Sequence, residues 1–221
     1  MGNFVNKRSV LRQSLKQGLK EWGDRGKKAA NDEMQQLHDM KTFTPVHAHE
    51  LTKEQKRRAL SSLIFLKEKS CGKIKGRSCA DGRPQRETMT KEETTSPTVM
   101  NENVFITATI DAHEGRDVAT VDVPGAFLHT DVDPNDETVH MVLRGVLAEL
   151  MVKVDPKLYT KYVIHDKKGR MVLYVTMQKA LYGMLKSALL FYKKLVGDLE
   201  RADFKLNPYD PCVANKMVNE R

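Results

Sequence analysis

The stretch that most constrains the fold runs from Asp117 to Asp131 and reads Asp-Val-Ala-Thr-Val-Asp-Val-Pro-Gly-Ala-Phe-Leu-His-Thr-Asp. Residues 117 to 123 are β-branched and apolar enough for a buried strand, and Pro124-Gly125 breaks it just beyond Asp122. A carboxylate is therefore expected where a strand ends at the rim of a sheet. An acid held there can share a hard cation with incoming phosphates. It can equally cap the Pro-Gly turn, and both readings stay open on spacing.

A chain of 221 residues has ample core for one large domain or two small ones. Its net charge of +8 favours a polyanionic partner. Cys71, Cys79 and Cys212 are an odd number without CxxC spacing, which points to reduced thiols in an intracellular protein rather than a disulfide frame or a zinc site. With no apolar run near ~20 residues and a polar N-terminus, neither a membrane span nor a secretory signal is expected.

Taken in order, residues 8 to 40 have helical spacing, with Leu11, Leu15, Leu19 and Trp22 on one face, Arg12, Lys16 and Lys20 on another, and an interruption at Gly23 to Gly26. Thr52 to Glu68 reads as a second helix with Thr52 as its cap and Leu60, Leu63 and Leu66 apolar. Lys67 to Arg86 is rich in lysine and arginine, and alternation around Ile74 suggests a short strand pair turning at Asp81-Gly82. Ser96-Pro97 is expected to open a helix that Gly115 closes. The acidic run from Asp131 to Glu137 fails as a calcium loop, because Asp136 stands where the turn needs Gly and Val142 where the bidentate Glu belongs. Strands are expected at Val139 to Leu143, Lys161 to His165 and Met171 to Thr176, the last two joined by a turn from Asp166 to Gly169. Beyond Gly183, Leu185, Leu189, Tyr192, Val196 and Leu199 form one apolar helical stripe expected in the core.

Asp122-Val123-Pro124-Gly125-Ala126-Phe127-Leu128 resembles the Asp-Val-x-x-Ala-Phe-Leu motif of copia-type retrotransposon reverse transcriptases. Other landmarks of that family follow in its order. Lys75-Gly76-Arg77 with Asp81-Gly82 and Gln85 is similar to its basic segment, Ser96-Pro97-x-Val99 to its Ser-Pro-Val, and Thr138 to Met141 to its Tyr-Met strand. Ala180-Leu181-Tyr182-Gly183 matches its Ala-Leu-Tyr-Gly, and Asp210-Pro211 also fits. The resemblance extends from about residue 28 to the end of the chain.

The resemblance implies an α+β fold, the fingers and partial palm of a right-hand polymerase, with an antiparallel sheet and packed helices. Residues 1-50 would be an N-terminal helical segment, 51-98 the fingers region and 99-221 a partial palm. It implies RNA-directed DNA synthesis with two Mg2+ ions, Asp122 and the Val123 carbonyl as ligands, and Phe127 as a gate against a 2′-hydroxyl. Lys75 and Arg77 would contact the nucleotide phosphates, while Leu181, Tyr182 and Gly183 would line the cleft. The partners implied are an RNA template, a DNA primer, their hybrid and deoxynucleoside triphosphates, in a cytoplasmic virus-like particle and the nucleus. The family's Asp-Asp hairpin is missing from this chain, so the downstream palm and RNase H portions are expected elsewhere and the fragment alone is expected to be inactive. From the residues, Phe127 also reads as an apolar residue of a short helix. Two other readings are a catalytically inactive nucleic-acid-binding remnant and a protein-interaction module built on the N-terminal helices.

Overall fold

Ser14 starts the first helix by a reciprocal cap, its hydroxyl accepting from Gln17 N–H while the Gln17 side chain accepts from Ser14 N–H. The computed structural model describes residues 13–218, so the expected positions Leu11 and Arg12 lie outside the described residues. Helix α1 (Leu15–Asp39) runs through the glycine-rich interruption with a kink at Gly23, where φ is 50° and ψ is −122°. Its buried face carries Trp22, Ala29, Met34 and Leu37.

That face lies on a hairpin of β3 (Leu60–Glu68) and β4 (Ile74–Ala80). Only Lys53–Arg58 of the expected second helix is helical, as α2. Its Thr52-Gln55 capping box forms, but from Leu60 the alternation of two wins: Leu60, Ser62, Ile64 and Leu66 are buried while Leu63 is exposed. Leucine spacing alone suggests a helix here. The hairpin turns at Lys69 to Gly72, and Asp81-Gly82 follow β4 rather than turning it. On β4 the even positions face α1. A Cβ at Gly76 would stand 2.7 Å from the Ala29 carbonyl oxygen, so only glycine lets helix and strand approach this closely. Glu33 of α1 accepts from Ser78 N–H at 2.6 Å, and burial raises its pKa against the opposing pull of that bond, Lys75 and Arg77.

Strands β1 (Gln13–Ser14), β2 (Phe43–Val46), β5 (His140–Arg144), β6 (Ile164–His165) and β7 (Met171–Met177) complete a seven-stranded sheet. Its main path runs β1-β3-β5-β7-β2, with β4 added on β3 and β6 on β7. The expected antiparallel sheet is instead mixed, because β3 and β5 pair in parallel through Leu60↔Met141 and Ser61↔Val142. Helix α4 (Val146–Val154) packs beside α1 over β5 and β7. Between these layers Met141, Leu143, Met151, Leu173 and Val175 are fully buried, each contributing about 2 kcal/mol by removal from water. Helix α5 (Pro156–Tyr159), capped by Asp155, places the Tyr159 hydroxyl 3.0 Å from His38 Nδ1. The expected strand at 161–165 shortens to β6 because Thr160–Tyr162 form a 3-10 turn.

Two regions depart further from expectation. Helix α3 (Asn101–Glu114) begins at Asn101 rather than at Ser96-Pro97, and Gly115 ends it at φ 63° as expected. None of its residues is buried; Phe105 is 72% exposed. Residues 117–123 form no strand, and Val118 and Val121 are 75% and 83% exposed. Their β-branched character has no neighbouring strand to satisfy among the described residues. Helix α6 (Ser187–Arg201) lies where expected, but Leu189, Tyr192, Val196 and Leu199 are half-buried and Ser187 is its one buried residue. Strands β8 (Lys205–Leu206) and β9 (Ala214–Asn215) form a separate small pair. Among the described residues no helix is long and apolar enough to cross a membrane.

Candidate functional site

Lys75 and Arg77 stand on the odd face of β4, turned from α1, so the hairpin that buries Ile74, Gly76, Ser78 and Ala80 presents two cations on its other side. Lys75 is exposed and Arg77 half-buried, and neither makes an ion pair among the described residues. The Arg77 guanidinium lies over the Tyr182 ring, 4.9 Å from its centroid. The Phe127 ring is 4.5 Å from that of Tyr182 and 6.2 Å from Phe191 of α6. Phe127 is set there by a 3-10 turn, Ala126–His129, entered from Gly125 at φ 65°. Three separate sequence segments therefore meet in one aromatic cluster beneath one arginine. A planar guanidinium fork matches phosphate oxygens.

The joint beneath this cluster is main chain against main chain. Ala80 N–H donates to the Tyr182 carbonyl at 2.7 Å, and Gly183, at φ 90°, lies so near Ala80 that an added Cβ would stand 1.9 Å from its oxygen. An added Cβ at Gly82 would stand 2.1 Å from the Gly183 oxygen. Buried Gln85 accepts from Leu185 N–H at 3.0 Å through its side-chain oxygen. Ser187 closes the joint, its hydroxyl donating to the Leu181 carbonyl at 2.6 Å. Leu181 is buried, Tyr182 half-buried and Gly183 exposed, so the tyrosine and glycine face outward from a leucine anchor.

Asp122 is not held by this frame. It is exposed on an irregular segment and makes no hydrogen bond or ion pair among the described residues, and Val123 beside it is 45% exposed. Two-metal chemistry needs carboxylates that both ions share. Among the described residues no group of three or more His, Cys, Asp or Glu side chains could hold a metal ion. Asp122 and the Val123 carbonyl thus do not by themselves fit a two-magnesium centre, and no step is derived through one.

Asp210 has a different task from that of a site acid. Its buried carboxylate accepts from Met100 N–H at 3.1 Å and Asn103 Nδ2 at 2.6 Å, capping α3 from far along the chain, and from Cys212 N–H at 2.9 Å. Asn103 first, then the two backbone donors, hold its pKa below the usual carboxylate range. The linkage follows the sign of that shift: this contribution is full above the unfolded value and is lost as pH falls through the lower folded one. Asp210→Ala is expected to remove that acid-side dependence and speed amide exchange in the first turn of α3. Exchange there unchanged from wild type would remove Asp210 as the cap.

Reading from sequence missed Phe191, which stands off the apolar stripe of its helix, and gave Gln85 no task although it had been noted as a landmark. The place of Gln85 three residues beyond Gly82 gives no local signal of that task. No family model, curated protein or solved structure matches the chain.

Proposed function

We propose that this chain is part of an RNA-directed DNA polymerase resembling copia-type reverse transcriptases, with Lys75 and Arg77 taking nucleotide phosphates and Phe127 abutting the sugar. One observation carries the reading: Arg77, Phe127 and Tyr182-Gly183, drawn from three motifs, form one cluster with Arg77 stacked on Tyr182. Nucleotidyl transfer demands positioning and charge compensation more than covalent help from side chains, and a stacked arginine is held ready for both. Template, primer and hybrid would lie along the basic hairpin face.

The exposed, unsupported Asp122 favours a second reading, a nucleic-acid-binding remnant without catalysis. Both readings require phosphate contact. In a filter-binding titration, affinity for an RNA–DNA hybrid is expected to fall steeply between low and physiological salt as counterions are released. Arg77→Ala should reduce the log–log salt slope by about one phosphate contact. A flat salt response in the wild-type chain would sink both readings.

A further inference from the structure

Lys75 and Arg77 put two positive charges on one side of β4, and a carboxylate of α1 meets the same strand from the other side. β4 pairs with β3 alone, so N–H groups on its outer edge have no ladder partner. Glu33 takes one of them, accepting from Ser78 N–H at 2.6 Å. An added Cβ at Gly76 would stand 3.0 Å from the Glu33 Cβ, so the absent side chain is what admits this residue. Gly76 and Ser78 flank Arg77, and consecutive Cα atoms are about 3.8 Å apart, which brings the carboxylate close to the backbone that carries Arg77. Lys75 is the other neighbour of Gly76.

An amide would satisfy Ser78 N–H as well as an acid does, without bringing a charge into a half-buried position. Burial accordingly raises the pKa of Glu33, opposed by the Ser78 bond and then by Lys75 and Arg77. Those two are the charged groups that act on it from β4. On its own helix the residues one turn away, Ala29, Ala30, Gln36 and Leu37, carry no charge. The acid therefore has no charge partner but the two cations, and each of them is without an ion pair of its own among the described residues.

We propose that Glu33 is a positioning residue for phosphate: its bond to Ser78 fixes the strand that carries Arg77, and its charge holds the affinity of Lys75 and Arg77 for phosphate below that of two uncompensated cations. This rests on the phosphate reading of Lys75 and Arg77 above. With Glu33 ionised, two cations and one anion leave a single net positive charge; with Glu33 protonated, both cations are uncompensated. Phosphate is therefore held more tightly as pH falls through the raised pKa of Glu33.

Glu33→Gln separates charge from hydrogen bond, since its side-chain oxygen still accepts from Ser78 N–H. Calorimetric titration of the whole chain with inorganic tripolyphosphate, at neutral pH and low salt, is expected to show this variant binding about 5-fold more tightly than wild type, the scale of one charge interaction near a protein surface. The difference should narrow as pH is lowered, because wild-type Glu33 then gains its own proton; protonation of the ligand is common to both proteins. Exchange of the Ser78 amide should be unchanged in Glu33→Gln and faster in Glu33→Ala. If Arg77→Ala weakens tripolyphosphate binding but Glu33→Gln does not strengthen it, this proposal falls and the phosphate reading stands. If Arg77→Ala has no effect on binding, both fall. A second measurement needs no ligand: Lys75→Gln, at an exposed position, should raise the midpoint at which the Glu33 carboxyl titrates by 13C NMR. An unmoved midpoint would show that the charges do not couple and would overturn the proposal.

Discussion

Gly183→Ala is expected to cost about 3 kcal/mol or more of stability, the sum of left-handed backbone strain and the forced separation of two main-chain segments. At φ 90° the new Cβ would stand 1.9 Å from the Ala80 oxygen. Backbone atoms on both sides cannot yield as a flexible side chain would, so the Ala80–Tyr182 hydrogen bond must lengthen and the Tyr182 ring must shift from under Arg77. Gly169→Ala is the control. Gly169 also has positive φ, 71°, but nothing lies within 4 Å of an added Cβ, so only the strain of about 1 kcal/mol is expected there. Urea unfolding measures both. Equal losses at the two positions would mean that the joint beneath the cluster is looser than described.

Phe127→Val is expected to narrow the preference for deoxyribonucleotides over ribonucleotides, read by primer extension in a longer chain that carries an Asp-Asp hairpin. In the proposed function its ring stands against C2′ of the incoming sugar, so a smaller side chain makes room for a hydroxyl. The change in relative kcat/KM should correspond to ~1 to 3 kcal/mol, a factor of roughly ten to two hundred. The substitution also thins the contacts of Phe127 with Tyr182 and Phe191, so some stability is lost in either case. The ratio between the two sugars is therefore the informative readout. Activity lowered equally toward both would make Phe127 a packing residue only.

The cluster was legible to the extent that its parts are local. Asp166-Gly169 turns, Gly115 ends a helix and Thr52 caps one because neighbouring residues settle those choices. Lys75 and Arg77 could be named only through the resemblance of Lys75-Gly76-Arg77 to a family motif, and the two-residue period of β4 then puts them on one face. Illegible features depend on distant partners. Leu60 to Leu66 has apolar residues at both helical and strand spacing, and α1 on one side decides for the strand. Residues 117 to 123 have strand propensity but no strand beside them among the described residues, so propensity is overridden. Asp210 caps α3 from more than a hundred residues away, which no local pattern announces.

The parallel pairing of β3 with β5 and the pairing of β2 with β7 set the pace at which this chain can reach its native state. The first joins residues roughly eighty positions apart and the second roughly 130, while the β3–β4 hairpin and α1 are nearly local. Contacts of such separation must close long loops before any burial rewards them, so the chain belongs among slow folders. During synthesis β2 leaves the ribosome on the order of ten seconds before β7 is made, at typical elongation rates. For that interval Phe43 and the edge of β2 have no partner, and a nascent chain that pairs elsewhere in that time starts from a trap.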